Sequence, residues 1–147
     1  MQRLSLYLVL TLAACINLPA QRASVFQTAG VAIRGYDPVA FFTTGKPMPG
    51  KKAYVLNWQN AEWLFSSQAH LDSFKLSPGR YAPQYGGYCA YGAAEGHKAP
   101  TEIDTWTIVD GKLYFNYNQK VKELWNKKRV ENINKADKNW SQIKDKD

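Results

Sequence analysis

The stretch Thr105–Tyr117 constrains the fold more than any other part of this chain. Thr105-Trp106-Thr107-Ile108-Val109 and Lys112-Leu113-Tyr114-Phe115-Asn116-Tyr117 are rich in β-branched and aromatic residues, and only Asp110-Gly111 separates them. Asp-Gly supplies the positive φ angles of a tight primed turn, so the two runs read as a β-hairpin. A second hairpin is expected from Ala53-Tyr54-Val55-Leu56-Asn57-Trp58 and Glu62-Trp63-Leu64-Phe65, joined through Gln59-Asn60-Ala61.

Helical segments follow each hairpin. Ser66 or Ser67 can cap a helix that carries Leu71 and Phe74 on one face and stops before Pro78. Asn118 caps a helix with Val121, Leu124 and Trp125 on one face. A further helix has Val130, Ile133, Ala136, Trp140 and Ile143 at steps of three and four. A short helix is expected through Ala93 and Ala94, with Gly96 as its stop. Locally joined strand pairs with interspersed helices predict an α+β fold: a small antiparallel sheet of hairpins packed with short helices, and two C-terminal helices. No internal repeat is found.

The chain opens with Met1-Gln2-Arg3 and an apolar run from Leu4 to Ile16. That run is shorter than the roughly 20 residues a bilayer span needs, and it fits a secretory signal peptide. Leu18-Pro19-Ala20 offers a cleavage site, so residues 1–20 read as the signal peptide and Gln21 as the mature start. Leu12-Ala13-Ala14-Cys15 offers the alternative of a bacterial lipobox with a lipid on Cys15, the one route by which a membrane would become a partner. Either reading gives a periplasmic or otherwise extracytoplasmic protein. The remaining residues suit a single domain, from about 31 to 147.

Nineteen Lys and Arg stand against twelve Asp and Glu, a net charge of +7. The excess lies at the end, where Gln119–Asp147 hold nine basic and five acidic residues. This pattern reads as a solvated Lys-rich helical face that would also suit an anionic surface. Nucleic acid is not an expected partner, because the aromatics are not interleaved with the basic residues as in a stacking platform.

The candidate chemistry centres on Tyr85-Gly86-Gly87-Tyr88-Cys89-Ala90-Tyr91-Gly92. Cys89 is the only cysteine outside the N-terminal apolar segment, so it has no internal disulfide partner in an exported chain. It is then a buried apolar filler, a soft-metal ligand or a reactive thiol. The glycines allow close backbone approach, and a helix N-terminus just after them would favour a thiolate able to bind Cu(I) or Zn(II) or to meet an oxidant. His70 and His97, the only histidines, complete a possible three-donor set. Their spacing from Cys89 is not that of a compact metal motif, so only the fold could unite them, and each can equally be a surface histidine. Tyr36, Tyr85, Tyr88 and Tyr91 can line a pocket around the thiol or fill a core with bonded hydroxyls. Asp37 is expected to make an Asx-type turn around Pro38. No nucleophile elbow, phosphate-cradling loop, H-E-x-x-H motif or paired carboxylates are present, so an enzyme is not the first expectation.

Several segments together resemble the YHS-domain family. They are Gly35-Tyr36-Asp37-Pro38-Val39-Ala40, Phe65-Ser66-Ser67-Gln68-Ala69-His70 with Phe74, and Pro78 with Tyr81. Tyr85–Tyr91 and Trp106–Tyr114 resemble its exported, stand-alone branch, and the likeness runs from about Val31 to Trp140. The resemblance implies an α+β fold and an extracytoplasmic place, and metal binding only weakly. Metal-binding members carry cysteines in a D-P-V-C opening and an F-C-S-x-x-C run; here Ala40 stands in the first, Ser66 and His70 in the second. Three functions are therefore expected as alternatives. They are a binding module for a copper-like metal or a small ligand centred on Cys89, a thiol-based redox enzyme or sensor, and a structural or interaction domain with a degenerate metal site.

Overall fold

The computed structural model describes residues 23–146. Both proposed cleavage sites, Cys15 and the signal peptide lie outside the described residues. The fold is α+β. Strand β3 (Lys51–Trp58) pairs antiparallel with β4 (Ala61–Phe65), and β5 (Glu102–Val109) with β6 (Lys112–Asn116). Gln59-Asn60 and Asp110-Gly111 all take positive φ, the backbone twist that closes two-residue hairpins.

The hairpins belong to separate sheets. The first is extended by two short strands, β1 (Gln27–Thr28) and β2 (Val31–Ala32), in the order β1-β2-β4-β3. Val31 pairs in parallel with Glu62, a junction the hairpin pattern did not foretell. The packed body thus begins before residue 31, and Val25 lies in the core.

Among the described residues six α-helices join the sheets: α1 (Ala40–Thr43), α2 (Gln68–Leu76), α3 (Pro78–Tyr81), α4 (Ala90–Ala94), α5 (Gln119–Lys127) and α6 (Arg129–Ile143). Ser67 caps α2 by accepting from the His70 amide, and Asn118 caps α5 by accepting from the Val121 amide. Helix α2 turns Leu71 and Phe74 inward, where Phe74 meets Trp58, Trp63 and Phe65. This aromatic cluster anchors the first core, which also takes in Phe41, Leu113 and Phe115. A second core lies under the C-terminal helices, around Tyr85, Tyr114, Trp125 and Ala136.

The C-terminal helices differ from the sequence pattern in one respect. Trp125 and Ala136 are buried as expected, but Leu124 and Val130 are 41% and 73% exposed. Helix α5 ends at Lys127 and α6 begins afresh at Arg129, so Val130 falls at a corner, off the apolar stripe of Ile133, Ala136 and Trp140.

Close backbone approach fixes the Tyr85–Gly87 segment. Tyr85, Gly86 and Gly87 all have positive φ, and a Cβ on Gly86 would lie 1.9 Å from the Ser24 carbonyl oxygen. Only glycine fits there, because the Phe26 amide donates to the Gly86 carbonyl at 2.9 Å.

Candidate functional site

Cys89 is the N-cap of α4. Its sulfur accepts from the Gly92 amide at 3.4 Å and the Tyr117 amide at 3.3 Å, and its thiol faces Asn116 Oδ1 at 3.7 Å. The residue is 2% exposed. Burial is the largest influence on the thiol and pushes its pKa up, outweighing the amide donors that favour the thiolate. The sulfur is thus a neutral acceptor that satisfies the buried Gly92 amide and the part-buried Tyr117 amide.

The two histidines lie in different settings. His97 is exposed beside α4, its amide donating to the Gly92 carbonyl at 3.0 Å. His70 is on α2 and faces Asp37. Among the described residues, no three of His, Cys, Asp and Glu come together as a metal-ligand group. Cys89, His70 and His97 are thus not gathered into one such group among the described residues.

The tyrosines divide as well. Tyr85 donates its hydroxyl to Asp137 Oδ1 at 2.8 Å, and Tyr88 donates to the Ala23 carbonyl at 2.7 Å. Burial, then the Asp137 hydrogen bond, pushes the Tyr85 pKa up. Tyr36 packs against the first core, and its backbone pairs with Pro49. Tyr91 packs against the second core, and its amide donates to Asn116 Oδ1 at 3.2 Å.

Two features stand apart from the sulfur. The first is a polar cluster on Asp37, which is fully buried. Oδ1 accepts from the Val39 and Ala40 amides at 2.9 and 3.3 Å, which is the Asx-type turn expected at Pro38. Oδ2 accepts from the Ser66 amide at 2.8 Å and the Ser66 hydroxyl at 2.6 Å, and meets His70 Nδ1 at 2.6 Å. Sequence reasoning missed these long-range partners. An ionised carboxylate can only accept, so Nδ1 carries the proton and Nε2 is directed to the Thr43 hydroxyl at 3.2 Å. The His70 side chain is 18% exposed, so this end of the cluster reaches solvent.

The second feature is an open cleft of about 620 Å³ between the β3–β4 turn, the residue 79–86 connector and the end of α6. Trp58 and Trp140 supply its accessible aromatic surface, with the buried Trp63 and Tyr85 behind them. Trp58 and Trp140 are half-buried, while Trp63 is buried and donates its indole N–H to the Trp58 carbonyl at 3.0 Å. Gln59, Gln84, Lys112, Asp137 and Lys144 bring polar groups to the same space. Of the four tyrosines singled out in the sequence, Tyr85 is the one in this lining. The alternation of β3 and the C-terminal stripe held the tryptophans, but nothing local showed that they would meet.

No protein-family model, curated protein or solved structure matches the chain.

Proposed function

We propose that the protein is an extracytoplasmic, non-enzymatic module that binds a small ligand, and that the ligand sits in the aromatic cleft beside Tyr85. The observation that carries this reading is the cleft itself. It combines half-buried indole surface with amide, carboxylate and ammonium groups, the mixture that small-molecule sites use for contact area and orientation. The extracytoplasmic part rests on the apolar N-terminal run and its cleavage signals; among the described residues no helix is long and apolar enough to cross a membrane. The enclosed Cys89 sulfur, its pKa raised by burial, lends no support to a thiolate metal centre or a redox nucleophile, so no chemical step is routed through either.

The test is recovery of the protein from its native envelope, followed by native mass spectrometry and elemental analysis. A non-covalent small molecule should accompany the wild-type chain and the Cys89→Ser variant alike. It should be lost from Trp140→Ala and from Lys112→Glu, a rim change that leaves the core intact. Stoichiometric copper or zinc that vanishes with Cys89→Ser would overturn the reading in favour of the metal module.

A second reading, a scaffold with a degenerate metal site, is favoured by one specific observation. The three positions at which the family resemblance sets cysteines, Ala40, Ser66 and His70, all meet the Asp37 carboxylate. A hydrogen-bonded cluster would then occupy the place where relatives hold a metal. It predicts no retained metal and no co-purified small molecule.

A further inference from the structure

We infer that the corner between α5 and α6 is a peripheral docking surface for an anionic phospholipid bilayer. The corner runs from Asn126 to Glu131 and holds Lys127, Lys128 and Arg129 in succession, followed by Val130. Val130 is 73% exposed, because the corner sets it off the apolar stripe of α6 and among these cations. These residues line a shallow hollow of about 500 Å³. On α5, Lys120, Leu124 and Lys127 follow at steps of four and three and so share one stripe, and Leu124 is 41% exposed. Each helix thus brings one exposed aliphatic tip beside cations near the corner, the mixture of apolar and basic groups found where helices rest in a bilayer interface.

Nearby acids do not cancel the charge. Gln119–Lys146 hold nine Lys and Arg against Glu123, Glu131, Asp137 and Asp145. Glu131 is engaged by Lys135 at 2.7 Å and by Lys128 at 3.6 Å, and Asp137 accepts from Tyr85. Arg129 lies over the Trp125 ring and donates to Asn126 Oδ1, which fixes its guanidinium at the corner. An acidic protein would satisfy the lysines but gives no reason for the bare Val130 and Leu124. Anionic headgroups meet the cations while the acyl boundary receives the aliphatic tips.

The experiment is co-sedimentation of the full chain with phosphatidylcholine vesicles and with vesicles containing phosphatidylglycerol. Wild type and variants share the same leader, so any contribution from it is common to all. Binding is expected on the anionic vesicles, falling steeply as salt is raised from 0.05 to about 0.5 M, where screening shortens to a few ångströms. Each Lys or Arg near such a surface is worth roughly fivefold in partitioning, so Lys127→Glu with Lys128→Glu should weaken binding by more than about 25-fold. Val130→Asn, which adds no charge, should weaken it while leaving its salt dependence unchanged. Both substitutions are at exposed positions, and unchanged circular dichroism separates lost docking from lost folding. Equal binding to both vesicle types, no binding to either, or binding indifferent to the double reversal overturns the proposal. Retention on immobilised poly-glutamate without vesicle binding overturns it in favour of an acidic protein partner.

Discussion

Cys89 and Asp37 are both buried polar centres that gather backbone amides, yet they do so with opposite chemistry. Cys89 offers a neutral, soft acceptor to the Gly92 and Tyr117 amides, and the sulfur itself is enclosed. Asp37 offers a carboxylate to five donors, one of which, the His70 ring, leads on to Thr43 at the surface. The sulfur closes an amide pair and stops there. The carboxylate ties the turn at 37–40 to residues 66–70 and keeps one edge in contact with water. A reactive residue type is therefore a poor guide to the reactive place; access and partners decide.

The largest break in this comparison should come from Asp37→Ala. It leaves the Val39 and Ser66 amides without their partner in a dry site and uncouples His70, so a loss of about 4 kcal/mol is expected in urea denaturation. Asp37→Asn keeps an acceptor but turns an NH₂ group toward donors, and should recover only about half of that loss. A loss below about 1 kcal/mol for the alanine variant would mean that the cluster is not holding the segments together.

Cys89→Ala comes next, at about 2 kcal/mol, because the buried Gly92 amide and the part-buried Tyr117 amide lose their acceptor. Cys89→Ser restores an acceptor and should cost less. The thiol also sets a pH dependence. Burial holds its pKa above the ordinary value near 9, so as pH rises the unfolded chain gives up this proton first. The stabilisation is complete below that value and declines as pH climbs toward the folded pKa. Tyr85 and Tyr114, both pushed up by burial, should add to the alkaline loss at higher pH. Denaturation between pH 8 and 11 should show the Cys89→Ser variant losing less stability than wild type. Alkylation of the native thiol should be slow up to pH 9; a midpoint below the ordinary cysteine value would reverse the assignment of Cys89 as an inert cap.

These two centres also mark how far the sequence could be read. The hairpin turns at Asn60 and Gly111, the caps Ser67 and Asn118, and the inward Leu71 and Phe74 follow from local rules, because each depends on neighbours within four residues. The Asx turn of Asp37 was legible for the same reason. Its bonds to Ser66 and His70 span 29 and 33 residues and were not, since nothing near Asp37 encodes them. The parallel pairing of Val31 with Glu62 and the meeting of Trp58 with Trp140 in one cleft are of the same kind. The setting of Cys89 was half legible. Glycines before a helix start pointed to its amides, but the enclosing Asn116 at the end of β6 and the Tyr117 amide just after it lie 27 and 28 residues away.

Moving outward along the Asp37 cluster, each removal should matter less. His70→Ala deletes a charge-assisted hydrogen bond to Oδ2 but leaves the two amide donors to Oδ1 and both Ser66 donors in place, so about 1.5 kcal/mol is expected.

The smallest effect belongs to Thr43, where the cluster ends in water. Its hydroxyl lies 3.2 Å from His70 Nε2 and 3.1 Å from the Val39 carbonyl, at an exposed position. Thr43→Val keeps the shape and removes only the oxygen. Water can take its place against the ring nitrogen, so the expected cost is about 0.5 kcal/mol, at the low end for a hydrogen bond. The sharper readout is the imidazole proton signal of His70 followed by NMR. With Nδ1–H held on the carboxylate, that resonance should persist in Thr43→Val and disappear in Asp37→Asn. If removing Thr43 erases it, the ring is oriented from its outer edge. The contrast between an anchored interior and a solvent-facing end would then fail for Asp37 as it does for Cys89.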